Sequence, residues 1–141
     1  MSKIKWVRVL FGIVVAFVIS VGIAFLYVFV RMFMRGAQGL GTGAEAQKVV
    51  VMSTAYVVVA LVATVVGGFV GGRMPARRAT GAYLLNGALV GVGTTIVLVV
   101  WAFVQSSSIS WGTALQAALV IAGSVLGGWV GGRAAEAEEY D

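Results

Sequence analysis

The chain has no cysteine and no histidine, and only one proline and one asparagine among its 141 residues. Without the first two it has no disulfide, no thiol chemistry, no lipid attachment through cysteine, no imidazole base and none of the usual zinc ligands. Charge is equally scarce. Charged residues make up 11% of the chain and hydrophobic ones 60%, and the mean hydropathy is +1.02. Water is the wrong solvent for most of such a chain. The ten Lys and Arg, which give a net charge of +5, are scattered at the ends of apolar runs and form no basic face, so nucleic acid is not the expected partner.

Apolar runs are what the sequence has instead. The start, with Lys3, Lys5 and Arg8 before an apolar stretch, has the look of a signal peptide. However, Val9 to Val30 runs 22 residues without a charge, too long for a signal core and long enough to span a bilayer. A retained first helix is therefore predicted over 7–33. A second is predicted over 49–72, between Lys48 and Arg73. From Arg78 to Arg133 no charged residue intervenes. That stretch is broken only by the polar cluster Gln105 to Gly112, which predicts a hairpin of helices over 81–104 and 113–132. Only helices or closed barrels satisfy their backbone in hydrocarbon, and nothing alternates with period two, so all four are read as transmembrane helices.

The second helix, with twelve Val, Leu and Phe, is worth roughly −4 to −7 kcal/mol on the insertion scale. The fourth has seven strongly apolar residues and five glycines and is worth only about −2 to −4, which makes it dependent on its neighbours.

With the N-terminus inside, Lys3, Lys5, Arg8, Arg73, Arg77, Arg78 and Arg133 are cytoplasmic, against Arg31, Arg35 and Lys48 outside. Seven basic residues against three predict both ends in the cytoplasm. The tail over 134–141, with Glu136, Glu138, Glu139 and Asp141, reads as a solvated acidic end. Trp6, Tyr83, Trp101, Trp111 and Trp129 fall near predicted helix ends, where aromatic anchors sit.

An internal repeat is the most specific pattern. Val65 to Met74 reads VVGGFVGGRM and Val125 to Ala134 reads VLGGWVGGRA, seven identities in ten at an offset of 60. Both copies end a helix running in the same direction, which predicts two tandem hairpins related by a pseudo-two-fold axis along the membrane normal. Gly67 and Gly71, Gly68 and Gly72, Gly127 and Gly131, and Gly128 and Gly132 are overlapping small-xxx-small pairs. The spacing recurs as Gly12, Ala16, Ser20, Ala24 and as Gly87, Gly91, Thr95. Such strips let backbones approach closely where lipid offers no hydrophobic drive, so glycine-rich close packing is expected, within the chain or against a second protomer. A phosphate cradle is excluded, because neither GxxxxGK[ST] nor a GxGxxG turn after a strand is present.

No ionisable side chain falls inside the predicted hydrocarbon core, so the usual proton carriers and counter-charges of transporters are missing. No base stands near any hydroxyl. An enzyme, a cofactor site and a metal site are therefore not predicted, and a lipid-modifying enzyme would need an acid or base that the sequence does not supply. Asn86, near the start of the third helix, is expected to bond a neighbouring helix or interfacial water. Arg73, Arg77 and Arg78 form a short basic loop suited to anionic head groups, with about 1 kcal/mol per basic residue at such a surface.

The run Gly67, Gly68, Gly71 and Arg73, then a basic turn, then Gly81, Gly87 and Gly91, with a second pair at Gly127 and Gly128, resembles the YrzE-like family of small bacterial four-helix membrane proteins. Thr80 stands where that pattern often has a basic residue. The resemblance implies a bacterial inner-membrane protein and carries over no functional residue. Two functional readings follow. One is a non-enzymatic protein acting through helix association, as a homo-oligomer or as an accessory subunit of another membrane protein. The other is an oligomeric channel with Thr64, Thr94, Thr95 and Ser124 lining a hydroxyl path, since such a path needs no charge.

Overall fold

The computed structural model describes residues 6–76, 82–106 and 111–138, and these are almost wholly helical. In chain order the helices are α1 (Trp6–Ala37), α2 (Ala44–Val51), α3 (Thr54–Ala76), α4 (Tyr83–Ser106) and α5 (Trp111–Glu138). All but α2 are long and apolar enough to cross a membrane. Their outer faces carry large apolar side chains in the open, such as Phe25 at 69%, Phe33 at 72% and Trp111 at 90% exposure. A soluble monomer rarely exposes such continuous apolar surface, whereas a bilayer solvates it.

The elements depart from expectation at three places. The first helix continues one turn past Phe33 to Ala37. It stops where Gly39 takes a positive φ of 72°, with Leu40 N–H donating to the Arg35 carbonyl at 2.9 Å and Gly39 N–H to the Gly36 carbonyl at 3.0 Å. Those two bonds make a Schellman cap. The second predicted helix is two helices, because Val49 to Val51 belong to α2 and the chain turns at Met52 and Ser53. Ser53 is the N-cap of α3: its hydroxyl accepts the Tyr56 N–H at 3.2 Å and donates to the Val50 carbonyl at 2.6 Å. Finally, α5 runs past the predicted end at Gly132 to Glu138, so the first part of the acidic segment is helical, with Glu136 and Ala137 exposed.

Which residues meet fixes the packing. Gly12 faces Gly71, Ala16 faces Gly67, and the Ser20 hydroxyl reaches the Ala63 carbonyl at 3.3 Å, so α1 and α3 run antiparallel. Gly87 meets Gly128 and Gly132 meets Tyr83, so α4 and α5 are antiparallel as well. Between them, Gly123 lies on Val65 and Gly127 on Phe69, which sets α3 and α5 side by side in parallel. Ile13 packs into Gly93, bringing α4 back to α1. Going round the bundle the order is α1, α3, α5, α4, and among the described residues α1 and α5 do not approach each other. The core is made of small residues, with Val9, Ala16 and Val90 at its centre.

The two copies of the repeat do not sit about a two-fold axis. Gly67 and Gly71 press on α1, while Gly68 and Gly72 press on α5 at Val120 and Ser124. In the second copy Gly127 presses on α3, and Gly128 and Gly132 press on α4. A two-fold would set the 68/72 face of α3 against the 128/132 face of α5; the contact is instead between 68/72 and 123/127. Identical motifs thus occupy successive corners of the bundle.

Candidate functional site

A cavity of about 360 Å³ opens between the helices in the half of the bundle that carries α2. The middle of α1 supplies Ser20, Val21, Ala24, Phe25 and Val28, and α3 supplies Tyr56, Ala60 and Thr64. Leu98 and Trp101 come from α4, Gln116 from α5, and Gln47 and Val51 from α2. Trp101 is held edge-on against Phe17 with ring centroids 6.1 Å apart, and Tyr56 leans on Tyr27 at 6.2 Å. The walls are mostly apolar, and polar groups stand at both ends. Tyr56 and Gln116 lie within the first two turns of their helices, while Ser20 and Thr64 lie half-way along theirs. The volume falls within the range of small-molecule pockets.

The hydroxyls at the deep end are already oriented by the bundle. Ser20 Oγ donates to the Ala16 carbonyl at 2.8 Å, and Thr64 Oγ1 to the Ala60 carbonyl at 2.7 Å. Each hydroxyl has one proton and two lone pairs, so each oxygen keeps the capacity to accept.

Beyond Thr64 the bundle closes. Asn86, Val90, Thr94, Val120 and Ser124 are all fully buried. Asn86 Nδ2 donates to the carbonyl of Ala82, the residue just before α4, at 2.8 Å. Of the four hydroxyl residues expected along a path, only Thr64 borders the cavity. Thr94 and Thr95 turn back onto the Val90 and Gly91 carbonyls at 2.8 and 2.9 Å. Ser124, the repeat equivalent of Thr64, is wedged where α3, α4 and α5 meet. Methyl groups placed on Gly68 and Gly91 would each stand 3.2 Å from its side chain, and one on Gly87 would stand 2.6 Å from its carbonyl oxygen. Its hydroxyl has no hydrogen-bond partner among the described residues.

The opposite end of the bundle is basic. Arg133 lies over the ring of Trp129 at 4.3 Å, a cation–π contact one helical turn long. The Nε of Arg73 is shielded and unpartnered among the described residues. Arg77 and Arg78, the other residues expected at head groups, lie outside the described residues, as does Gly81. No group of three or more His, Cys, Asp or Glu gathers in metal-binding distance among the described residues.

Sequence reasoning named Thr64 and missed the rest of the cavity. Gln116 carried the one available signal, an amide inside an apolar helix, but its neighbours come from four other segments. Comparison with family models, with curated proteins and with solved structures finds no match. The site must therefore be interpreted from its own chemistry. What the fold and site define is a bundle of four helices able to span a membrane, with a cavity that is uncharged among the described residues.

Proposed function

We propose that this is a non-enzymatic multi-pass membrane protein that works by association, as a homo-oligomer or as an accessory subunit of another membrane protein. In this reading α1 with α3 and α4 with α5 are two tandem hairpins. Both termini face the cytoplasm of a bacterial inner membrane, as the distribution of basic residues and the resemblance to the YrzE-like family suggest. Arg73, with Arg77 and Arg78, meets anionic head groups there.

One observation carries the reading. The glycine faces at Gly12, Gly67, Gly68, Gly71, Gly72, Gly87, Gly91, Gly127, Gly128 and Gly132 are all covered by other helices of the same chain, and Gly131 is buried. A glycine zipper that is satisfied internally makes the bundle a finished body, so a partner must use some other surface. Gly22 supplies it: it lies half-way along α1, a methyl group added there would meet nothing within 4 Å, and Val18 and Phe25 beside it are exposed. A neighbouring helix can approach closely there.

Native mass spectrometry of protein gently extracted from its own membrane tests this. A discrete oligomer or a fixed-stoichiometry complex that dissociates in Gly22→Leu is the expected result. A protein that remains single and unaccompanied would overturn it. A permeation path is the second reading, and Thr64 at the cavity is the observation in its favour; it further requires Ser124 and Thr94 to meet water.

A further inference from the structure

We infer that the cavity is a binding site for an uncharged molecule with an apolar body and a single hydroxyl or amide hydrogen-bond donor, held with its donor against Ser20 and Thr64. The inference does not depend on how the protein associates.

Three features point to that chemistry. Among the described residues no acidic or basic side chain lines the cavity, and Tyr56 is the one titratable group there. A charged ligand would lose its hydration at hydrocarbon depth and gain no counter-ion among the described lining residues, which disfavours it. Next, the deep end is asymmetric in hydrogen bonding. The Ser20 and Thr64 protons are engaged by the carbonyls of Ala16 and Ala60, so their oxygens offer lone pairs and little else. An acceptor-only ligand finds no donor there, whereas an alcohol or amide does find acceptors. Lastly, Val21, Phe25, Leu98 and Trp101 form an apolar wall between that end and the amides of Gln47 and Gln116 at the other. A ligand with an apolar body and one polar head fits such a wall, and a sugar or amino acid does not.

Such a molecule can come from the bilayer as a single-chain lipid alcohol, or from water as a short alcohol. Trp101 in the wall reports on either. In a variant with Trp6, Trp111 and Trp129 replaced by Phe, Trp101 fluorescence is titrated with ω-bromoundecanol, ionised ω-bromoundecanoate, bromoundecane and the water-borne bromobutanol, in detergent. The expected result is saturable quenching by an alcohol, at least about tenfold tighter than by the carboxylate or the alkane. Saturation by the long alcohol marks a membrane source, and by bromobutanol alone an aqueous one.

Thr64→Val keeps the shape and removes the acceptor, so it should abolish the advantage of the alcohol over the alkane. Ala24→Phe fills the space and should abolish saturation. Equal, non-saturating quenching by all four probes would mean simple partitioning onto the exposed side of Trp101 and would overturn the inference. So would saturable quenching that survives Ala24→Phe in protein that remains folded by circular dichroism. Neither result depends on the oligomeric state.

Discussion

Gly12 on α1 and Gly71 on α3 oppose one another so closely that a methyl group on Gly12 would stand 2.6 Å from the Gly71 carbonyl oxygen, and one on Gly71 2.5 Å from the Gly12 carbonyl oxygen. Backbone against backbone leaves no rotamer that could yield. The interface exists only because neither residue has a Cβ.

Either Gly12→Ala or Gly71→Ala should therefore lower stability by about 1–3 kcal/mol, the usual cost of overpacking. Gly22→Ala, with open space around it, should leave stability unchanged or raise it by up to about 1 kcal/mol through helix propensity. Thermal unfolding in one detergent compares the three. Equal effects would mean that α1 does not lie on α3 as described.

Ser124 gives the opposite expectation for a polar residue. Its hydroxyl is buried with no partner among the described residues, and an unsatisfied group of that kind costs about 1–3 kcal/mol. Ser124→Ala should stabilise the protein by about 1 kcal/mol, while Ser124→Val should destabilise it, because the added carbons meet Gly68 and Gly91. A clear loss of stability in Ser124→Ala would reveal a bound water or partner at that oxygen.

The absence of native cysteine makes accessibility simple to measure. Single cysteines at Tyr56 and Gln116 should react quickly with a small maleimide, and those at Thr94 and Ser124 should not react without unfolding. Labelling at Ser124 in the folded protein would favour the permeation path. In intact cells, a membrane-impermeant reagent should reach a cysteine at Gly43 and fail to reach one at Ala137. The reverse pattern would invert the orientation.

The spans were legible because their signal is length and apolarity, which need no knowledge of neighbours. The break between α2 and α3 was not. Val49, Val50 and Val51 lead into Ser53 and Thr54 without a charge, and a serine in an apolar run passes for a membrane hydroxyl until its bond to the Tyr56 amide is seen. Gly39 was a readable stop, but the apolar Phe33 and Met34 before it blurred where α1 leaves hydrocarbon. The repeat revealed which residues are small and nothing about which way each copy turns, since seven matches in ten residues do not fix a rotation about the helix axis. The cavity was least legible. Ser20, Tyr56, Trp101 and Gln116 are far apart in sequence and share no spacing; only the order of helices around the bundle brings them together.

That order has a consequence for how two similar glycine motifs are used in one bundle. Gly127 lies beside Phe69 while Gly72 lies on Ser124, so the matching glycines of α3 and α5 are turned to different faces and staggered along the bundle. A unit that joins its copy through two different faces, turned and slipped at each step, generates an open screw and never a closed ring. In this chain, with two copies, the screw makes one step. Its free ends, the 67/71 face of α3 and the 128/132 face of α5, are covered by α1 and α4, so the flanking helices terminate a polymer that the repeat by itself would extend.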